Sequence, residues 1–163
     1  MAAVKRGNHV PEPAVVLDEI DRKIITALQT DGRTSYADLG PLVGLSAAAA
    51  RQRVQRLIES RALQVVGVTD PMALGYPSMA MLGVSVDGDV MAIADRIAEI
   101  EGVIYVVLTS GRFDIMVEVL SEDAPGLLTM INDRIKAISG VRSVESHMYF
   151  GIHTHRFGWA PRA

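Results

Sequence analysis

The stretch Leu39–Leu57 constrains this chain more than any other. It reads Leu-Gly-Pro-Leu-Val-Gly-Leu-Ser-Ala-Ala-Ala-Ala-Arg-Gln-Arg-Val-Gln-Arg-Leu. A short apolar segment stops at Gly44, Ser46 offers a helix cap, and a helix follows with arginines and glutamines along its polar sides. Two short helices joined by a tight turn, the second basic on its outer face, present a helix to the DNA major groove. The pattern therefore points to a DNA-binding regulator.

The flanking residues extend this to three helices. Leu17, Ile20, Ile24 and Leu28 recur at helical spacing, with Asp18 and Glu19 at the positive end and Gly32 beyond the other. The spacing predicts a helix over Asp18–Thr30. Thr34 or Ser35 caps a second helix that buries Leu39 and Leu42, with Asp38 placed to complete a capping box from Ser35. Gly40-Pro41 makes that helix short or irregular, because proline removes a backbone donor. The third helix runs over Ala47–Ser60. At about 100° per residue, Ala50, Val54, Leu57 and Ile58 share the buried side. Ala48, Arg51, Gln52, Gln55 and Arg56 point away from it, and Arg53 lies on the boundary. The small side chains of Ala47 and Ala48 allow close approach to a groove floor. Arg51 and Gln52 are long enough to read base edges, guanine and adenine respectively, and Arg56 is placed for phosphate. The competing reading is a solvated polar face.

Net charge is −3 over 163 residues, but the distribution is uneven. The acidic surplus sits after residue 70, whereas Ala47–Arg61 carries four arginines against Glu59. Aromatic residues are 5%, too few for stacking on single-stranded nucleic acid. No cysteine is present, which removes disulfides and thiolate metal sites. No apolar run approaches the ~18 residues that span a bilayer. Met1–Val16 has basic residues but no apolar signal region, so a flexible arm and a cytoplasmic chain are expected.

Leu63–Thr69 is apolar and β-branched until Asp70-Pro71 breaks it, and reads as a strand leading into a hinge. Beyond it, Met79–Val86, Val103–Thr109, Phe113–Leu120 and Val141–Ile152 read as strands. Val90–Ile100 and Ala124–Ile138 read as helices, the latter capped by Asp123 and carrying Leu128, Ile131, Ile135 and Ile138 as its core stripe. Each helix ends alike, in Glu101-Gly102-Val103-x-x-Val106 and Ser139-Gly140-Val141-x-x-Val144, with glycine as the left-handed cap. The order βαββαβ defines a ferredoxin-like sheet with both helices on one face. The other face, partly apolar, needs a partner sheet, and a homodimer is expected.

The fold class is thus α+β, a (winged) helix-turn-helix domain joined by a β-linker to a ferredoxin-like domain. The expected organisation is an arm over 1–16, a helix-turn-helix over 17–62, a linker over 63–77, a ferredoxin-like domain over 78–152 and a tail over 153–163.

Several motifs occur together in order. They are Leu17-Asp18-x-x-Asp21-x-x-Ile24-x-x-x-Leu28-Gln29-x-Asp31-Gly32-Arg33, Leu42-Val43-Gly44-Leu45-Ser46, Arg53-Val54-x-Arg56-Leu57 and Asp70-Pro71-x-x-Leu74-Gly75. This set resembles the Lrp/AsnC family of transcriptional regulators from about Leu17 to Phe150. Pro41 departs from it in place of a helix former, Ala50 in place of valine, and Arg61 in place of a helix-ending glycine. The resemblance implies DNA contacts from Ser35, Ser46, Ala47, Ala48, Arg51, Gln52, Arg53, Gln55 and Arg56, and dimers assembled into octamers. It also implies an amino-acid effector bound without a covalent cofactor where dimers meet, beside Thr109, Ser110, Gly111, Arg112, Phe113 and Asp114. Asp114 would accept from an ammonium, the Gly111 loop would offer amides to a carboxylate, and Arg112 would favour an acidic effector. An ordinary hairpin turn also accounts for Gly111 and Asp114.

Other functions are set aside. His147, His153 and His155 share parity, but no nearby carboxylate or thiolate completes a metal set, so no metal is expected. No nucleophile elbow, phosphate loop or paired-carboxylate spacing appears, so no enzyme is expected. The alternative is an oligomeric small-molecule sensor whose degenerate helix-turn-helix does not bind DNA directly.

Overall fold

The computed structural model describes residues 16–154. The expected arm over 1–16, apart from Val16, and the tail beyond Thr154 lie outside the described residues. The chain divides into two compact units between Val68 and Thr69.

The first unit holds α1 (Glu19–Thr30), α2 (Tyr36–Val43) and α3 (Ala47–Glu59). Each starts on a side-chain cap. Asp18 and Asp21 form a reciprocal capping box on α1, Ser35 accepts from the Asp38 amide on α2, and Ser46 accepts from the Ala49 amide on α3. On α2 only half of the anticipated box forms, because the Ser35 hydroxyl donates to the Asp38 carboxylate at 2.6 Å. Pro41 is accommodated inside α2, which lasts eight residues and ends at Gly44 with φ 75°. The core gathers Ile24, Ile25, Leu28, Leu39, Val43, Ala50, Val54, Leu57 and Leu63.

Two expected buried positions on the helices of this unit are exposed. Leu42 is 68% exposed and Val43 takes its buried place. One i,i+4 pair, Leu39 and Val43, faces α1 and α3, and Leu42 turns toward an open groove beside Glu19, Arg22 and Thr26. Ile58 is likewise exposed, because Leu57 already fills the last core position of α3.

Leu63–Thr69 forms neither a helix nor a strand pairing. Only Leu63 is buried, whereas Val65, Val66 and Val68 are exposed. A strand needs a partner ladder, and the described residues supply none there.

The second unit holds β1 (Ser78–Val86), α4 (Val90–Ala98), β2 (Val103–Leu108), β3 (Ile115–Ser121), α5 (Ala124–Thr129) running into a π-helical turn (Met130–Ile135), and β4 (Val141–Met148). The sheet order is β2-β3-β1-β4, all antiparallel. Even-numbered residues of β1 and odd-numbered residues of β3 point to α4 and α5, enclosing Leu82, Val84, Ile97, Ile115, Val117 and Ile135. Gly102 and Gly140 have φ 90° and 94°, and these caps steer each helix into the next strand.

The Ala124–Ile138 helix departs from its expected stripe. Leu128 is 60% exposed, and Leu127 and Met130 join Ile131, Ile135 and Ile138 in the core. The cause is the π turn, in which the Lys136 amide reaches the Ile131 carbonyl at 2.9 Å. A wider turn shifts the buried face by one residue upstream of it. The last strand also stops early, at Met148, and Phe150 and Ile152 are exposed.

Candidate nucleic-acid interface and effector loop

Helix α3 has two distinct polar surfaces. Ala47, Ala48, Arg51, Gln52 and Gln55 are exposed, as their spacing requires. Gln55 donates to Glu59 at 3.1 Å. Ser35 and Ser46 serve as the N-caps of α2 and α3. The structure thus gathers Ser46, Ala48, Arg51, Gln52 and Gln55 on one outward helix.

Arg53, at the edge of the core, and Arg56, whose side chain stays 57% exposed, both reach back to the start of α1. Arg53 Nη1 pairs with Asp18, and with Asp21 at 3.1 Å. Arg56 Nη2 donates to Asp21 Oδ2 at 2.5 Å. The Asp21 side chain is buried, and the same Oδ2 also takes the Asp18 amide at 3.2 Å. A buried carboxylate is stable only when its lone pairs are filled by charged or backbone donors, and here two guanidiniums and an amide fill them. The Arg53 hydrogen bond, followed by the Asp21 amide, holds the Asp18 carboxyl at about 2, well below its ordinary range. The same pairing raises Arg53. Arg56, read from sequence as a phosphate contact, is tied to α1. Periodicity does not reveal this cluster, because its members lie 32–35 residues apart. The one available signal is four opposite charges on the inner edges of two amphipathic helices.

In the second unit, Thr109–Asp114 joins β2 to β3. The Thr109 amide donates to the Asp114 carbonyl at 2.9 Å and the Asp114 amide to the Val84 carbonyl at 3.0 Å. Asp114 Oδ2 accepts from the Val86 amide at 2.8 Å, so the carboxylate extends the β1–β3 ladder past its end. The Thr109 hydroxyl donates to the Phe113 carbonyl. The Phe113 ring lies over Gly83, where any Cβ would collide with it. Arg112 stacks on that ring at 5.3 Å and pairs with Glu145 at 2.8 Å. The loop is thereby moored at its base while Ser110, Gly111 and Arg112 are exposed at its tip.

The sheet face away from the helices carries Met81, Met116, Glu118, Glu145, His147 and Tyr149. Tyr149 donates to Glu118 at 3.0 Å, and burial together with that carboxylate pushes its phenol up to about 12. His147 stands 3.6 Å from Glu145. Among the described residues no cluster of three His, Asp or Glu side chains is placed to hold a metal. His155 lies outside them. Among the described residues no helix is long and apolar enough to cross a membrane.

A capped three-helix unit with one helix offered outward, followed by an antiparallel sheet with two helices on one face, defines a DNA-binding regulator with a ligand-binding domain. The AsnC-type helix-turn-helix domain matches residues 17–58, and the Lrp/AsnC ligand binding domain matches residues 79–157. The chain is 31% identical over 144 residues to the HTH-type transcriptional regulator FL11 of Pyrococcus horikoshii, covering 87% of this chain and 93% of that one. Among solved structures, the Mycobacterium tuberculosis leucine response regulatory protein superposes with TM-score 0.80 at 25% identity, over 89% of this chain and all (100%) of that chain. A Neisseria meningitidis transcriptional regulator solved as an L-Met complex gives 0.77 at 21% identity, over 86% and 94%. The chain belongs to the Lrp/AsnC family of transcriptional regulators.

Proposed function

We propose that α3 reads base edges in the major groove through Arg51 and Gln52, with Gln55, Ala47 and Ala48 flanking them and the capped ends of α2 and α3, at Ser35 and Ser46, facing the backbone. The observation that carries this is the exposure of Arg51 and Gln52 on a helix whose opposite polar edge is pinned to α1. A pinned helix presents its long side chains in one orientation, which base readout requires. The regulator acts where the DNA is, in the cytoplasm.

The proposal extends to assembly and effector. The open sheet face and the unpaired Val65–Val68 segment both fit a second copy of the chain, giving a homodimer and, as in the family resemblance, an octamer. The effector is an amino acid meeting Thr109–Asp114. The exposed tip over Ser110, Gly111 and Arg112 supplies backbone donors and a guanidinium for a carboxylate. Asp114 commits one oxygen to the Val86 amide, and its remaining lone pairs are the acceptors for an ammonium. The L-Met complex of the Neisseria regulator supports an amino acid as the ligand class.

The test is selection of duplexes from a random-sequence pool by the full chain. An enriched motif is expected, and Arg51→Ala should lose about 1–3 kcal/mol on it with little loss on mixed sequence. Failure to enrich any motif contradicts the DNA reading. Thermal-shift measurements across the twenty amino acids test the effector. A ligand at a hundred times its Kd adds about 2.7 kcal/mol, and twenty flat profiles contradict sensing.

A further inference from the structure

Helix α3 is basic in sequence, yet its charges cancel locally. It carries Arg51, Arg53 and Arg56. Arg53 and Arg56 are matched by Asp18 and Asp21, and Glu59 sits at its end, bonded to Gln55. The helix offered to DNA therefore brings little net positive charge, although non-specific DNA affinity arises almost wholly from such charge.

We propose that Asp18 and Asp21 are specificity-determining residues, which withhold Arg53 and Arg56 from DNA phosphates and so suppress sequence-independent binding. This rests on the reading of α3 as the DNA-contacting helix. The geometry separates two jobs on one helix. Arg51 and Gln52 project outward, while the Arg53 and Arg56 guanidiniums, the latter on a side chain still 57% exposed, are engaged by carboxylates at the start of α1. Asp21 is buried and fixed by packing, whereas the Asp18 side chain is half exposed and stands at the rim of the cluster. Asp18 is thus the member whose removal changes charge with the least disturbance. A regulator that faces a large excess of non-specific sites gains discrimination when cations near the groove are already neutralised.

The experiment compares wild type with Asp18→Asn and Asp18→Ser. Asparagine and serine are both good N-caps, so α1 is retained in either variant, and thermal melting confirms it. Binding is measured against salt on two duplexes of equal length, one of mixed sequence and one enriched from a random pool by the wild-type chain. Each additional phosphate that the protein neutralises steepens the slope of log K against log salt by about 0.9. Both variants are expected to show that steepening on the mixed duplex, with roughly threefold or greater tightening at low salt, and a fall in the specific to non-specific ratio. Adding Arg53→Gln to Asp18→Asn should return the slope to the wild-type value, because it removes the cation released. Unchanged slopes overturn the proposal. Weaker binding of both duplexes also overturns it, since the carboxylates would then be aiming the guanidiniums at phosphate. A wild-type chain that enriches no duplex defeats the DNA reading itself, while the mixed-duplex comparison still decides whether the carboxylates restrain binding.

Discussion

In the unit that ends at Val68, a carboxylate is buried at the junction of α1 and α3, whereas the Thr69–His153 unit buries no charged side chain among its described residues. The sizes of the two cores explain the contrast. Nine buried apolar residues hold the three helices, and apolar contacts between short helices tolerate sliding and rotation. An ion cluster has strict geometry, and Asp21 adds that directional contact between α1 and α3 to the apolar ones. The sheet unit needs no such device. Its ladders already set register across four strands, and its tight positions include Gly83 under the Phe113 ring and Gly102 and Gly140 against backbone carbonyls. The proposed function follows the same division, with the small unit aiming a helix and the larger one holding a loop and an open face.

Removing the buried carboxylate should produce the largest effect. Asp21→Ala leaves Arg56 and the Asp18 amide without their acceptor and Arg53 with Asp18 alone, and should cost the first unit about 2–4 kcal/mol. Hydrogen exchange should show lost protection in α1 and α3, with β1 and β3 unchanged. Uniform loss across both units would contradict independent cores.

Backbone substitutions separate the two units next. A Cβ at Gly102 would stand 2.6 Å from the Leu120 carbonyl at φ 90°, so Gly102→Ala should cost about 2 kcal/mol or more in the sheet unit. Arg61 in the first unit has φ 57°, the left-handed conformation that glycine adopts at no steric cost. Arg61→Gly should therefore be neutral or stabilising by up to about 1 kcal/mol, read from urea midpoints.

Smaller differences lie at opposite ends of the pH scale. The Asp18 carboxyl is lowered from 3.8 to about 2 in the folded chain. Its contribution is present above the unfolded value and is lost as pH falls from about 4 through 2. Tyr149 is raised from 10.0 to about 12, so its protonated form contributes below pH 10 and that contribution is lost as pH rises through 12. Acid should loosen the helical unit first and alkali the sheet unit first. Asp18→Asn and Tyr149→Phe should each flatten only their own limb of a melting-temperature profile.

Local signals in the sequence are legible. Ser35, Ser46 and Asp123 cap where their spacing places them, Asp18, read as the first residue of its helix, is its cap, and Gly44, Gly102 and Gly140 turn left-handed after their helices. Arg61, which stands in a glycine position of the family motif, adopts the glycine-like conformation. The failures are non-local. Leu42, Ile58 and Leu128 lie next to residues that packing prefers, and a stripe drawn on an ideal helix cannot choose between neighbours on its edge. The π turn shifts one such stripe by a residue. Leu63–Thr69 has strand composition without a strand partner among the described residues. The ion cluster, and the Phe113 ring on Gly83, join residues that no periodicity connects.

Whether α3 is held by its inner edge so that its outer edge reads bases is decided by Gln52→Ala. Base preferences of wild type and variant are determined from the same random-sequence pool. The variant should lose preference at one or two adjacent base pairs in each half-site, with all other positions and the salt slope retained. Identical preferences for the two proteins would contradict base reading by this helix.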